Sequence, residues 1–196
     1  MIKKFFKNNK KTSILLSIVI GLMFIFSVAI FFGLYPVVIV NGSWVMAYRY
    51  HTSYQLAYNY YSFYNNPNLT QTEKDDFEKA LKKAAIENSI DSVFVNDRLN
   101  QELGATDLNQ KINNEVNKLI NDEKVKNDLL NKILKTSEKN AREYFLNDLA
   151  KMQILSGRLA LESKNILEWV PEQRKTAKVS VLIPGVVWNG NAIEIK

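Results

Sequence analysis

Chemistry needs particular side chains, and this sequence holds few of them. His51 is the only histidine, and cysteine is absent. Disulfides and thiolate metal sites are thereby excluded. A Ser-His-Asp triad would have to use His51, and a histidine-based metal site would need ligands where the nearby positions offer Tyr and Asn. His51 therefore reads as a structural or surface residue. The seven glycines form no phosphate-cradling loop. Acids are plentiful but alternate with lysines, as solvated helix faces do. Serine and lysine are both common, and nothing singles out a dyad. The sequence is expected to carry no catalytic residue, no cofactor and no metal. Two tripeptides, Asn41-Gly42-Ser43 and Asn68-Leu69-Thr70, fit the glycosylation sequon, a pattern too frequent to carry weight.

What the chain does concentrate is aromatic surface. Seven of its nine tyrosines lie between Tyr48 and Tyr64. Helical spacing puts Tyr50, Tyr54, Tyr61 and Tyr64 on one face, and Leu56, Tyr60 and Phe63 on another. Further on, Ala141, Phe145, Leu149, Met152, Leu155 and Leu159 form one continuous apolar stripe. These stripes admit two readings. One is core packing. The other is a partly open groove that holds extended peptides through adaptable Met and amphipathic Tyr. On the second reading the client contacts are Tyr50, Tyr54, Tyr58, Tyr61, Phe145 and Met152.

The elements that must position these residues can be read from the pattern. Val37-Val38-Ile39-Val40 is a short β-branched strand, Asn41-Gly42 a tight hairpin turn, and Ser43-Trp44-Val45 the return strand. The aromatic helix follows over residues 46–64, and Asn65-Asn66-Pro67-Asn68 breaks the chain. Thr70-Gln71-Thr72-Glu73 fits a capping box that opens a long helix to Leu103, stopped by Gly104. Thr106 can cap the next helix, Asn121-Asp122 is a break, and Val125, Leu129 and Ile133 mark a short helix. Thr136 or Ser137 can cap the last long one. Pro171 punctuates the chain. Residues 177–183 are strand-like, and 186–195 read as a hairpin.

The first 35 residues are different in kind. From Lys11 to Arg49 no charge occurs, and residues 14–34 are almost wholly apolar. As a helix these 21 residues would rise about 31 Å, the depth of a bilayer's hydrocarbon core. Fifteen of them are Ile, Leu, Val or Phe, which favours insertion by about 5–9 kcal/mol. The run is too long for a signal-peptide core, and bulky Phe31-Phe32 stand where a peptidase wants small residues. Five lysines precede the run, so the N-terminus is expected in the cytoplasm and the remainder outside it. That asymmetry also accounts for the net charge of +6: beyond residue 11 there are 21 basic and 20 acidic residues. Nucleic acid is not an expected partner.

The order of elements from residue 37 to 183 resembles the SurA-type N-terminal chaperone domain of the parvulin-like foldases, the SurA and PrsA group. The residues that carry the likeness are Val37-Val38-Ile39-Val40-Asn41-Gly42, the stretch from Ile90-Asp91-Ser92-Val93 to Leu103-Gly104-Ala105, and Glu143-Tyr144-Phe145 through Leu155 to Leu159. Arg174 onward looks like the lead-in to a parvulin isomerase domain. The family pattern Ser-His-Ile-Leu meets Ser180-Val181-Leu182-Ile183 here, so its histidine falls on Val181, and 13 residues follow Ile183. Isomerase activity is not carried over. The resemblance implies ATP-independent binding of unfolded exported chains.

The expected fold is thus mainly α: a transmembrane helix, then a SurA-N-like domain of about five helices with short strands or hairpins at its two ends. Its divisions are a basic cytoplasmic tail (1–12), a signal-anchor (13–35), the chaperone domain (36–170) and a C-terminal β segment (171–196). The expected partners are the lipid bilayer and unfolded or extended exported polypeptides. The alternatives are a module that binds one specific envelope partner, or a truncated foldase.

Overall fold

The computed structural model describes residues 10–64 and 70–196; side chains of the first helix are described from residue 16. Most of the expected basic tail and the break at 65–68 lie outside these residues. The chain divides into two compact units, 1–35 and 36–196.

Among its described residues the first unit is one helix, α1 (Lys10–Phe31). Gly33, at φ 65°, stops it. The Gly33 amide donates to the Ile30 carbonyl at 3.1 Å and the Leu34 amide to the Ala29 carbonyl at 2.7 Å. This paired arrangement is the usual C-terminal closure around a left-handed glycine. The helix therefore ends short of Leu34, where the sequence pattern carried it. Among the described residues no helix is long and apolar enough to cross a membrane. The expected transmembrane helix is corrected accordingly.

The second unit is mainly helical. Strands β1 (Pro36–Val40) and β2 (Ser43–Met46) form a hairpin. Its turn holds both Asn41 (φ 51°) and Gly42 (φ 90°) in the left-handed region, as a two-residue turn between right-twisted strands requires. Helix α2 (Ala47–Tyr64) follows. Helix α3 (Gln71–Leu119) opens with the expected capping box: Thr70 N–H donates to Glu73 Oε2 at 2.8 Å, and Glu73 N–H to Thr70 Oγ1 at 3.4 Å. Gly104 (φ 72°, ψ 161°) breaks it into two arms.

Short α4 (Glu123–Asn127) runs into a π-helical segment (Asp128–Leu134), and α5 (Glu138–Ala141) into a second one (Arg142–Leu146) that continues as α6 (Asn147–Leu161). Helix α7 (Ile166–Thr176) carries Pro171 inside it. Asn165 caps it by accepting the Leu167 amide at 2.9 Å. The unit therefore holds six α-helices among its described residues, where the sequence pattern suggested about five. Strand β3 (Val179–Val181) pairs antiparallel with β1, giving the order β2-β1-β3, and β4 (Val186–Trp188) pairs with β5 (Ile193–Ile195).

Two apolar clusters hold this unit. One joins β1, β2 and Ile193 to Ile86, Ile90 and Phe94 on the first arm of α3. The other joins Leu99, Ile112 and Val116 of α3 to Leu134, Leu146, Leu155 and Leu159. Trp169 of α7 packs against both. An ion cluster adds to them. Arg174 Nε and Nη2 donate to the two Asp91 oxygens at 2.7 and 2.6 Å. Glu87 lies 3.7 Å from Arg174 and accepts the Ile193 amide at 3.0 Å. This cluster ties α7 and β5 to α3.

Candidate functional site

The aromatic helix α2 is packed on two sides. Along one side Tyr50, Tyr54 and Tyr58 form a row with successive ring centroids 6.3 Å apart, and Tyr58 continues it to Phe77 of α3 at 6.1 Å. Tyr50 is buried at 8% exposure, Tyr54 and Tyr58 are half-buried. Burial, then the neighbouring Tyr54, push the Tyr50 phenol up from its ordinary range. Burial, Glu78 and Tyr58 do the same to Tyr54. The row serves as packing between α2 and α3.

The other side meets the two π-helical segments. A π-helical turn widens the helix and shifts the carbonyl ladder out of register, and α2 supplies a side-chain donor to each segment. Asn59 Nδ2 donates to the Leu134 carbonyl at 2.7 Å, just where Lys135 turns left-handed (φ 51°). Ser53 Oγ donates to the Tyr144 carbonyl at 3.4 Å. Arg49 Nη2 lies 3.0 and 3.1 Å from the two Asp148 oxygens. Tyr48 meets Tyr144 edge-on at 6.3 Å. Burial, followed by a hydrogen bond to Glu143, pushes the Tyr144 phenol to about 12.

At the C-terminal end of α2 the aromatics leave the core. Tyr60, half-buried, is a hub: Phe145 lies 6.0 Å away, Tyr64 5.1 Å and Tyr61 5.5 Å. Phe63 stands edge-on to Tyr64 at 5.1 Å. Tyr61, Phe63 and Tyr64 are exposed at 48%, 51% and 62%. Leu149 and Met152 are exposed on α6, one and two turns beyond Phe145 by spacing.

The six residues singled out in the sequence thus fall in three places. Tyr50, Tyr54 and Tyr58 line the α2–α3 packing. Tyr61 and Phe145 come together around Tyr60. Met152 stands apart on the α6 surface. Sequence reasoning missed Tyr60 as the hub and Phe63 and Tyr64 as the exposed tip. The signal available was their position at the end of the helix, next to the Asn-Pro break. His51 is exposed, with its ring 5.2 Å from that of Tyr50. Among the described residues no three His, Asp or Glu side chains gather as a metal site.

The second unit is thus mainly helical, with a three-stranded antiparallel sheet and exposed aromatic side chains at the end of α2. No family model, no curated protein and no solved structure matches the chain.

Proposed function

We propose that this protein is an ATP-independent holdase for unfolded exported polypeptides, working outside the cytoplasm at a membrane. The observation that carries this reading is the exposed tip of Tyr61, Phe63 and Tyr64, backed by Tyr60 and Phe145. Grouped, exposed aromatic side chains mark a place where another chain binds. Tyrosine suits that task because it buries a large apolar ring while its hydroxyl finds partners on any backbone. Exposed Leu149 and Met152 extend the same kind of surface along α6, and Met adapts to varied side chains. The resemblance to the SurA-type chaperone domain points the same way. No covalent chemistry is assigned to the protein, and no isomerase activity.

Association with lipid is supported by α1, whose side chains from Leu16 to Phe31 are apolar except for Ser17 and Ser27 and are largely exposed. A helix with no polar face lowers its free energy by leaving water. The full chain should therefore float with lipid vesicles in a density gradient.

A second reading, a module that binds one folded envelope partner, is favoured by Trp44. It is 62% exposed on β2, which has a neighbour on one side only in the sheet. The two readings separate in one assay. Full-length protein on vesicles, without ATP, should suppress light scattering by several unrelated clients diluted from denaturant. Absence of suppression at several-fold excess removes the holdase reading.

A further inference from the structure

A groove of about 690 Å³ runs between the second arm of α3 and α6, well away in sequence from the aromatic tip. One wall carries Lys111, Asn114, Asn117, Lys118 and Asn121; the other carries Ile154, Gly157, Arg158 and Leu161. We propose that this groove binds an extended polypeptide segment that presents a carboxylate to Lys111.

Three features point to that ligand. The first is Gly157. It sits within α6 in helical conformation, where glycine weakens a helix relative to alanine. A Cβ at Gly157 would meet no atom within 4 Å. Packing inside the protein therefore does not require glycine there. Its absent side chain leaves helix backbone open on the groove wall, which lets another backbone approach closely.

The second feature is the row of amides. Asn114 and Asn117 lie one turn apart on α3, and Asn121 lies just past its end on the same wall. Each amide offers donors and an acceptor, the complement of a peptide group. Arg142 Nη2 donates to Asn117 Oδ1 at 3.0 Å, which orients that amide and leaves its NH₂ for a ligand. Among the described residues Asn114, Asn121 and Lys111 take part in no side-chain hydrogen bond.

The third is charge. Lys111, Lys118 and Arg158 line the groove; Lys118 is held by Glu115 at 2.7 Å and Arg158 by Glu102 of α3, which leaves Lys111 as the lining cation with no ion pair among the described residues. That unpaired charge favours a carboxylate over an ammonium group. Ile154 and Leu161 supply apolar contact for the stems of the ligand's side chains.

The inference stands apart from the holdase reading, because the aggregation assay reads the aromatic tip and a peptide-binding assay reads the groove. The test uses full-length protein in detergent and a fluorescein-labelled peptide of alternating Ser and Glu, followed by anisotropy. The wild type should bind it, and bind a matched Ser and Lys peptide much more weakly. Gly157→Trp fills the groove and should weaken binding by at least about tenfold. Lys111→Glu should weaken it as well. Gly157→Ala together with Asn114→Ala and Asn121→Ala provides a second route, with helix content checked by circular dichroism. This triple variant should also bind weakly while folding fully. Undiminished binding by either folded groove variant overturns the proposal. So does equal affinity for the Ser and Lys peptide, or for inorganic polyphosphate, which would indicate a site for anions at large.

Discussion

Replacing Arg174 by Met should cost this fold a large part of its stability, and the loss should shrink in acid. The guanidinium forks onto both Asp91 oxygens at 2.6 and 2.7 Å, and the two side chains are only 17% and 13% exposed. Glu87, also mostly buried, lies 3.7 Å away. Removing the cation leaves two carboxylates facing each other with little water. Breaking a buried pair from one side costs about 3–5 kcal/mol. In the wild type, burial already pushes the Asp91 carboxyl above its ordinary value of 3.8, with Arg174 pulling against it. A carboxyl raised on folding contributes most to stability below its unfolded value, and that contribution is lost as pH rises through the folded value. Without Arg174 the rise is larger, so the variant should gain stability on acidification relative to wild type. Urea unfolding followed by circular dichroism, at neutral pH and again near the ordinary carboxylate value, measures both. Asp91→Leu combined with Arg174→Met should recover most of the loss, because apolar residues replace the pair. A loss under about 1 kcal/mol, the range of an exposed ion pair, would refute the reasoning. So would a loss that is the same at both pH values.

Three further outcomes follow from single contacts. Gly104→Ala should destabilise by about 1–3 kcal/mol in the same urea assay, because φ 72° with ψ 161° is a region only glycine occupies readily; open space around its Cβ position means that the cost is backbone strain and not a clash. Asn59→Leu should cost about 1–3 kcal/mol by leaving the Leu134 carbonyl without its donor, and amide exchange should quicken across 128–134. Thr70→Ala should cost about 1 kcal/mol through loss of the helix cap, visible as a lower thermal midpoint.

Local chemistry made part of this fold readable. Asn41-Gly42 specifies its turn by backbone geometry alone, and Thr70 with Glu73 specifies a helix start three residues wide. Gly104 interrupts α3 where the pattern placed a stop, although the helix resumes beyond it. Features that depend on distant partners were hidden. Asn41 also clasps β3: its Oδ1 accepts the Lys178 amide at 2.9 Å and its own amide donates to the Lys178 carbonyl at 2.9 Å. Nothing near residue 41 announces a partner 137 positions away. The Arg174–Asp91 pair is equally silent in sequence. Helix α7 escaped because Pro171 reads as a breaker, whereas Asn165 caps the helix and Val170 and Trp169 anchor it in the core. The N-terminal reading erred at Gly33, which was counted as part of the apolar run when it closes the helix. Of the proposed site, the tyrosine content was plain, but which tyrosines face inward depends on where α3 and the π-helical segments lie.

The most direct measurement places a photo-crosslinking phenylalanine at position 64 of the full chain, and in a second protein at exposed Glu172 on α7. Each is illuminated on vesicles with a client diluted from denaturant. The account predicts adducts from position 64 with several unrelated clients, and none above background from position 172. Equal yields from the two positions, or no adduct from position 64, would contradict it.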